Sequence, residues 1–188
     1  MAEIKLVPRS EVDPSITWDM TLLYPSDEAF YTELENLKTE MKAFKEKYEN
    51  NLGDLEVLDE AIRQYEAIEL AVYRASHYAE LPMTVDRLNP KVVENATAFE
   101  AVSVSYAENM SFVMTEIISL DEAFLNKFVT EKRPDLAYFV EKVIRQKKHT
   151  LSKDAEQVLS NLSSLPGFYQ LYEVTKHEDM QFESFEAN

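Results

Sequence analysis

The stretch from Asn89 to Ser119 constrains the fold of this chain more than any other. Asn89-Pro90 is typical of a helix start, because asparagine caps the first turn and proline is tolerated at the first helical position. Eight residues then recur at alternating spacings of four and three: Val92, Ala96, Phe99, Ser103, Tyr106, Met110, Val113 and Ile117. The pattern predicts one helix of about 29 residues, roughly 43 Å long, with a single apolar stripe. Such a stripe must be buried against helices of similar length.

Two upstream segments have the required length and periodicity. Ser26 is predicted to cap the first helix, whose stripe contains Phe30, Leu34, Leu37, Met41, Phe44 and Tyr48. The second is predicted from about Asp54 to Glu80, with Leu55, Leu58, Ile62, Tyr65, Val72 and Ala79 on its stripe. Because the connections are short, residues 26–119 should form three antiparallel helices in a bundle or a layered array.

The flanking segments are predicted to be shorter elements. Residues 1–25, interrupted by prolines, should form an irregular arm docked on the helices, with Trp18 either as its apolar anchor or as a ligand-stacking ring. Residues 120–178 should form shorter helices, which begin at Asp121, Pro134, Ser152 and Phe168. Residues 179–188 approach period two and predict the start of a β-strand. The predicted fold class is therefore all-α, with a short terminal strand.

A strand at the end of a helical chain needs a partner for its hydrogen-bonding groups. Ile4–Leu6 is one candidate, and chain beyond Asn188 is the more natural one. We therefore expect residues 1–188 to be one lobe of a longer protein.

Composition excludes several classes of function. The formal net charge of −16 would repel nucleic acid and anionic lipid, so neither is an expected partner. The absence of cysteine rules out disulfides and thiolate metal sites, and only two glycines argue against phosphate-binding loops. No stretch has the apolar length of a signal peptide or a membrane span, so a cytoplasmic protein is expected.

No catalytic or metal-binding constellation is predicted within these residues. The sequence from His177 to Gln181 approaches the His-Glu-x-x-His zinc motif, but glutamine replaces the second histidine. A di-iron centre would need Glu-x-x-His pairs, and Arg74, Gln146 and Val174 stand three residues before the three histidines.

Two polar groups are candidate ligand contacts. Tyr73, His77 and Tyr78 cluster near the end of the second helix, where packing at a helix end is the alternative explanation. A basic cluster, Arg145, Lys147, Lys148, His149 and Lys153, either complements the carbonyls of a helix C-terminus or binds an anionic group such as a peptide carboxylate. Within these groups, the candidate peptide contacts are Tyr73, His77, Tyr78, Arg145, Lys148 and His149.

Three short motifs occur in the order and near the spacing of a known family. They are Thr17-Trp-Asp-Met-Thr21 followed by Leu23-Tyr-Pro-Ser-Asp27, Lys148-His-Thr-Leu-Ser152 with Glu156, and Asp179-Met-Gln-Phe182. Together they resemble the N-terminal portion of the oligoendopeptidase F family, zinc metallopeptidases of the thimet-oligopeptidase type. The resemblance covers the whole chain but about a third of a full-length member.

The resemblance implies a cytoplasmic enzyme that hydrolyses short peptides within an internal channel. Its zinc would be held by a His-Glu-x-x-His motif and a downstream glutamate in a C-terminal catalytic portion, which is absent from these residues. Residues 1–188 would wall the channel and be inactive alone. The alternative hypothesis is a complete, non-enzymatic acidic helical module that binds another protein.

Overall fold

The computed structural model describes residues 11–147, and all regular structure in this range is helical. Within residues 11–147, six α-helices follow one another: α1 Asp27–Tyr48, α2 Leu55–Glu80, α3 Pro90–Met110, α4 Phe112–Ser119, α5 Glu122–Glu131 and α6 Ala137–Lys147. Helix α1 packs against both α2 and α3, which also contact each other, while α6 packs against α4 and α5. The all-α fold is confirmed. The predicted helices from Ser152 and Phe168, and the strands at residues 4–6 and 179–188, lie outside the described residues.

Helices α1 and α2 follow their sequence patterns closely. The Ser26 hydroxyl accepts a hydrogen bond from the Ala29 amide at 3.2 Å, and the Asp54 carboxylate accepts from two amides at the start of α2. All six stripe residues predicted for α1 are buried. In α2 the buried residues are Leu58, Ala61, Ile62, Ile68, Ala75 and Ala79, while the predicted Leu55, Tyr65 and Val72 are half-buried.

The third long helix is confirmed as a bent helix, but it is not continuous as predicted, because Ser111 separates α3 from α4. A continuous helix would pair the Phe112 amide with the Glu108 carbonyl. The Lys45 ammonium group of α1 donates to that carbonyl at 2.9 Å and competes for it. Ser111 keeps right-handed dihedral angles, φ −60° and ψ −26°, so the apolar stripe continues into α4.

The stripe itself is shifted by one residue in the middle of α3. Ser103 is exposed, and Val102 is fully buried in its place. Asn95 is also buried, at 8% exposure, beside the half-buried Ala96. A stripe read at strict spacing identified the correct helix face but not every buried position.

Trp18 is not the anchor of the N-terminal arm, because its side chain is 70% exposed. Tyr24, at 6% exposure, has that role. Its ring meets the rings of Phe30 and Tyr78 edge to face, at centroid distances of 5.6 and 5.3 Å. Upstream of Tyr24 the arm forms two short 3₁₀ turns, Pro14–Ile16 and Met20–Leu22.

Of the predicted short helices, the two within residues 120–147 are confirmed, and one of them begins later than predicted. Asp121 caps α5 through bonds from the Ala123 and Phe124 amides. Pro134 begins a 3₁₀ turn that ends at Leu136, and α6 follows it. The buried apolar side chains here are Leu125, Phe128, Val140 and Val143.

Candidate functional site

The three candidate residues on α2 do not form one cluster, because they point to different sides of the helix. Tyr73 and His77 stack with ring centroids 5.4 Å apart, and the Tyr73 side chain is 63% exposed. The His77 ring nitrogen Nδ1 lies 2.7 Å from the Tyr73 carbonyl oxygen. This pair, with the exposed Leu70 one turn earlier, forms an apolar and aromatic strip on the solvent side of α2.

Tyr78 instead points toward α1 and joins a polar network. Its hydroxyl donates to the Asp27 carboxylate at 2.8 Å, and the Asn95 amide group donates to the same oxygen at 3.1 Å. The Tyr31 hydroxyl donates to the Asn95 side-chain oxygen at 2.7 Å. The Lys91 ammonium group lies 3.1 Å from that hydroxyl and 3.6 Å from the other Asp27 oxygen. The network therefore joins the starts of α1 and α3 to the end of α2.

The contacts within this network move the pKa values of Asp27, Tyr78 and Lys91 away from neutral pH. Burial would raise the pKa of Asp27, but the bonds from Tyr78 and Asn95 and the nearby Lys91 outweigh it, so that pKa is lowered. Burial, followed by the bond to Asp27, raises the pKa of Tyr78 to about 12. Hydrogen bonds to Tyr31 and Glu94 raise the pKa of Lys91. These shifts leave Asp27, Tyr78 and Lys91 unsuited to proton transfer near pH 7, which favours a structural role for them.

A second network joins the middle of α2 to α3. The Tyr106 hydroxyl donates to Glu69, and the Tyr65 and Tyr106 hydroxyl oxygens lie 3.0 Å apart. Burial and the bond to Glu69 raise the pKa of Tyr106, and burial raises that of Tyr65. Both tyrosines were predicted as apolar stripe residues. Their hydroxyl groups, which need partners when buried, were the available signal for this network.

Arg133 is the buried cation of the described region, at 6% exposure, and sequence reasoning did not single it out. Its Nη2 atom donates to Glu66 of α2 at 2.8 Å and to Asp135 at 2.7 Å. The bond to Asp135, followed by the bond to Glu66, raises the pKa of Arg133. The bond from Arg133 in turn lowers the pKa of Asp135. The arginine thus fixes the turn before α6 against α2.

The basic cluster is only partly within the described residues. Arg145 pairs with Glu141 one turn earlier at 2.5 Å and is 76% exposed, and Lys147 donates to the Leu120 carbonyl. That contact stabilises a helix end, as the structural alternative predicts. Lys148, His149 and Lys153 lie outside the described residues, so their proposed contact with an anionic group stays a prediction.

The described residues do not fit a bound metal ion. Among residues 11–147, no group of three or more histidine, aspartate or glutamate side chains could hold one. In the same range, every helix is too short or too polar to cross a lipid bilayer.

The chain is similar to oligopeptidase F proteins in each comparison of sequences. A family model described as Oligopeptidase F matches residues 116–182. The chain is 25% identical over 179 residues to an oligoendopeptidase F homolog of Borreliella burgdorferi. This alignment covers 94% of the chain and 30% of that relative. It is 28% identical over 192 residues to oligopeptidase PepF of Bacillus subtilis, and this second alignment covers 98% of the chain and 28% of that relative.

A solved structure has the same fold. The crystal structure of a Chlamydophila abortus protein assigned as a peptidase superposes with a TM-score of 0.70 at 22% identity, over 92% of this chain and 29% of that one. The chain therefore spans about 30% of the length of the proteins it matches. Residues 1–188 are homologous to the N-terminal region of oligopeptidase F.

Proposed function

We propose that residues 1–188 are the N-terminal helical part of a cytoplasmic zinc metallo-oligopeptidase that hydrolyses short peptides. In this proposal the segment walls the channel that admits peptides, and the zinc ion is bound by residues outside it. The segment alone is inactive. Its partners are the C-terminal catalytic portion of the same protein and short peptide substrates, whereas nucleic acids and membranes are not partners.

The observation that carries the proposal is the extent of the alignment. Nearly the whole chain, 94%, aligns with less than a third of an oligoendopeptidase F homolog. In that relative, the matched region is therefore one part of a larger protein. The lack of a metal-binding group among residues 11–147 fits a division of labour in which the chemistry lies elsewhere. The acidic charge of −16 also disfavours polyanionic substrates.

Among the described aromatic residues, we propose Tyr73 and His77 as peptide contacts. Their stacked rings are exposed, and an aromatic surface on a rigid helix can bind the side chains or backbone of an extended peptide. Tyr78 is less suited to this role, because its hydroxyl group is bonded to Asp27. The exposed Arg145 would contribute a cation to a peptide carboxylate.

The decisive experiment begins with the native coding frame beyond Asn188. We expect it to continue and to encode His-Glu-x-x-His. The purified full-length product should contain stoichiometric zinc, cleave short fluorogenic peptides and leave folded proteins intact. A stop codon at this point, or zinc binding and peptide cleavage by residues 1–188 alone, would overturn the proposal. A stop codon would support the acidic interaction module instead.

The peptide contacts are tested in the same full-length enzyme with the variant Tyr73→Ala. An aromatic contact is worth about 0.5–1.5 kcal/mol, which predicts a rise in KM of roughly 2- to 12-fold. Tyr138→Ala is the matched control, because Tyr138 is a similarly exposed tyrosine, at 67% against 63%, on α6. Equal KM values for the two variants would exclude Tyr73 as a contact.

A further inference from the structure

An apolar groove lies between the N-terminal arm and the connection from α2 to α3. It has a volume of about 430 Å³, and we call it the arm groove. The residues that matter for its chemistry are Ile16, Trp18, Met20, Leu81, Val85 and Val92. Its walls come from two segments that are far apart in sequence, so only the folded chain creates it.

The arm groove exposes large apolar side chains to an unusual degree. Ile16, Trp18 and Val85 are 77%, 70% and 60% exposed. Leu22 and Leu88, close in sequence to the groove residues, are 81% and 92% exposed. Single exposed apolar residues are ordinary on a protein surface, but a concentration of them around one concave site indicates a surface that another apolar surface covers.

Two carboxylates in the described part of the arm, those of Asp13 and Asp19, are bonded within the arm itself. The Asp13 carboxylate accepts from the Ser15 amide at 2.9 Å. The Asp19 carboxylate accepts from the Thr21 amide at 2.9 Å and from its hydroxyl at 2.6 Å. These bonds stabilise the two 3₁₀ turns and so hold the exposed apolar side chains of Ile16 and Trp18 in place beside the groove.

The arm is also held firmly at its inner end. The Arg74 guanidinium donates to the Leu23 carbonyl at 2.7 Å, and its carbon Cζ lies 5.4 Å from the centre of the Tyr24 ring. Tyr24 is buried against Phe30 and Tyr78. A surface that is already positioned loses little conformational entropy when it binds, which favours association.

We propose that an apolar segment of the downstream portion of the same protein packs into the arm groove. The inference rests on the proposed function, which makes residues 1–188 part of a longer chain. More than two thirds of each matched relative lies outside the aligned region, so the candidate occupant is large. Its covalent connection gives it a high effective concentration at the groove. A second copy of this chain is a poorer occupant, because two molecules with a charge of −16 repel each other.

The test measures the accessibility of the groove in the full-length protein. The variant Val85→Cys is made in a cysteine-free background, and its rate of maleimide labelling is divided by the rate after unfolding in denaturant. Val104→Cys is the matched control, because Val104 is a valine of similar exposure, 55% against 60%. It lies on α3 about 20 Å along the helix from Pro90, away from the groove. Residues 1–188 themselves contain no cysteine.

If the downstream portion covers the groove, Val85→Cys should be labelled at least about tenfold more slowly than Val104→Cys, since labelling then requires local opening. Equal rates in a full-length enzyme that still binds zinc and cleaves peptides would overturn the docking proposal and leave the proposed function intact. Protection that disappears on dilution would indicate a second copy. Protection that appears only with added peptide would indicate a peptide site. Either of these two results overturns the proposal, and a frame that stops at Asn188 overturns it together with the proposed function.

Discussion

Replacement of Asn95 by alanine tests whether the polar network holds α1, α2 and α3 together. The Asn95 side chain is buried at 8% exposure and joins two residues of α1. It accepts from the Tyr31 hydroxyl at 2.7 Å and donates to the Asp27 carboxylate at 3.1 Å. Alanine removes both bonds and adds no steric conflict, because it is the smaller side chain.

The expected loss follows from the kinds of bond removed. A hydrogen bond to a charged group contributes about 1.5–3 kcal/mol, and a neutral one about 0.5–1.5 kcal/mol. The Asp27 side chain is 36% exposed, so solvent screening places its bond at the low end. Alanine regains up to about 0.7 kcal/mol of helix propensity. We therefore expect Asn95→Ala to lower the free energy of unfolding by about 2 kcal/mol.

The assay is urea unfolding of the purified protein followed by helical circular dichroism. Asn109→Ala is the matched control on the same helix, because the Asn109 amide group bonds within its own turn, to the Ser105 carbonyl. It should leave the free energy of unfolding nearly unchanged. A double-mutant cycle with Asp27→Ala should give a coupling of about 1 kcal/mol. Equal stability of the Asn95→Ala and Asn109→Ala proteins, or additive effects in the cycle, would refute the reasoning.

The pH dependence of that coupling has a defined sign. The folded protein lowers the pKa of Asp27 from its ordinary 3.8. The carboxylate therefore contributes stability that is fully present above pH 3.8 and is lost as the pH falls through the lowered pKa. The measured coupling between Asn95 and Asp27 should disappear over the same interval.

Three further outcomes are expected from unfolding measurements. Tyr78→Phe should reduce the loss of stability between pH 10 and pH 12, because the pKa of Tyr78 is raised from 10.0 to about 12; an unchanged alkaline profile would contradict this. Arg133→Ala should lower the free energy of unfolding by about 2 kcal/mol, because it removes the bonds to Glu66 and Asp135. Arg145→Ala should leave it almost unchanged, because the Arg145 side chain is 76% exposed, and equal losses in the two variants would refute the role of burial. Phe44→Ala should lower the free energy of unfolding by about 3–5 kcal/mol, because Phe44 is fully buried. Trp18→Ala in residues 1–188 alone should lower it far less, and a larger loss for Trp18→Ala than for Phe44→Ala would show that Trp18 anchors the arm after all.

Much of the fold could be predicted because helix signals are local. Ser26 caps α1 as predicted, and Asp54 and Asp121 cap the helices that were predicted to begin at them, all through bonds within three residues. The six buried positions of α1 follow from periodicity alone. The candidate site could not be predicted to the same depth, because Tyr73 and Tyr78 are five residues apart and point to different sides of α2. Proximity in sequence does not place two side chains on one helix face.

The amino-acid sequence by itself determined where helices form, which face of each is apolar, and that no metal motif is present, since these depend on neighbouring residues and residue types. Tertiary structure decided the rest. The break at Ser111 involves Lys45 of another helix, and the burial of Tyr24 rather than Trp18 depends on Arg74 and on rings from α1 and α2. The arm groove likewise exists only when the arm contacts the connection between α2 and α3. Each of these features requires contacts between residues that are distant in sequence. Such contacts form only when the helices pack together, so the local sequence does not predict them.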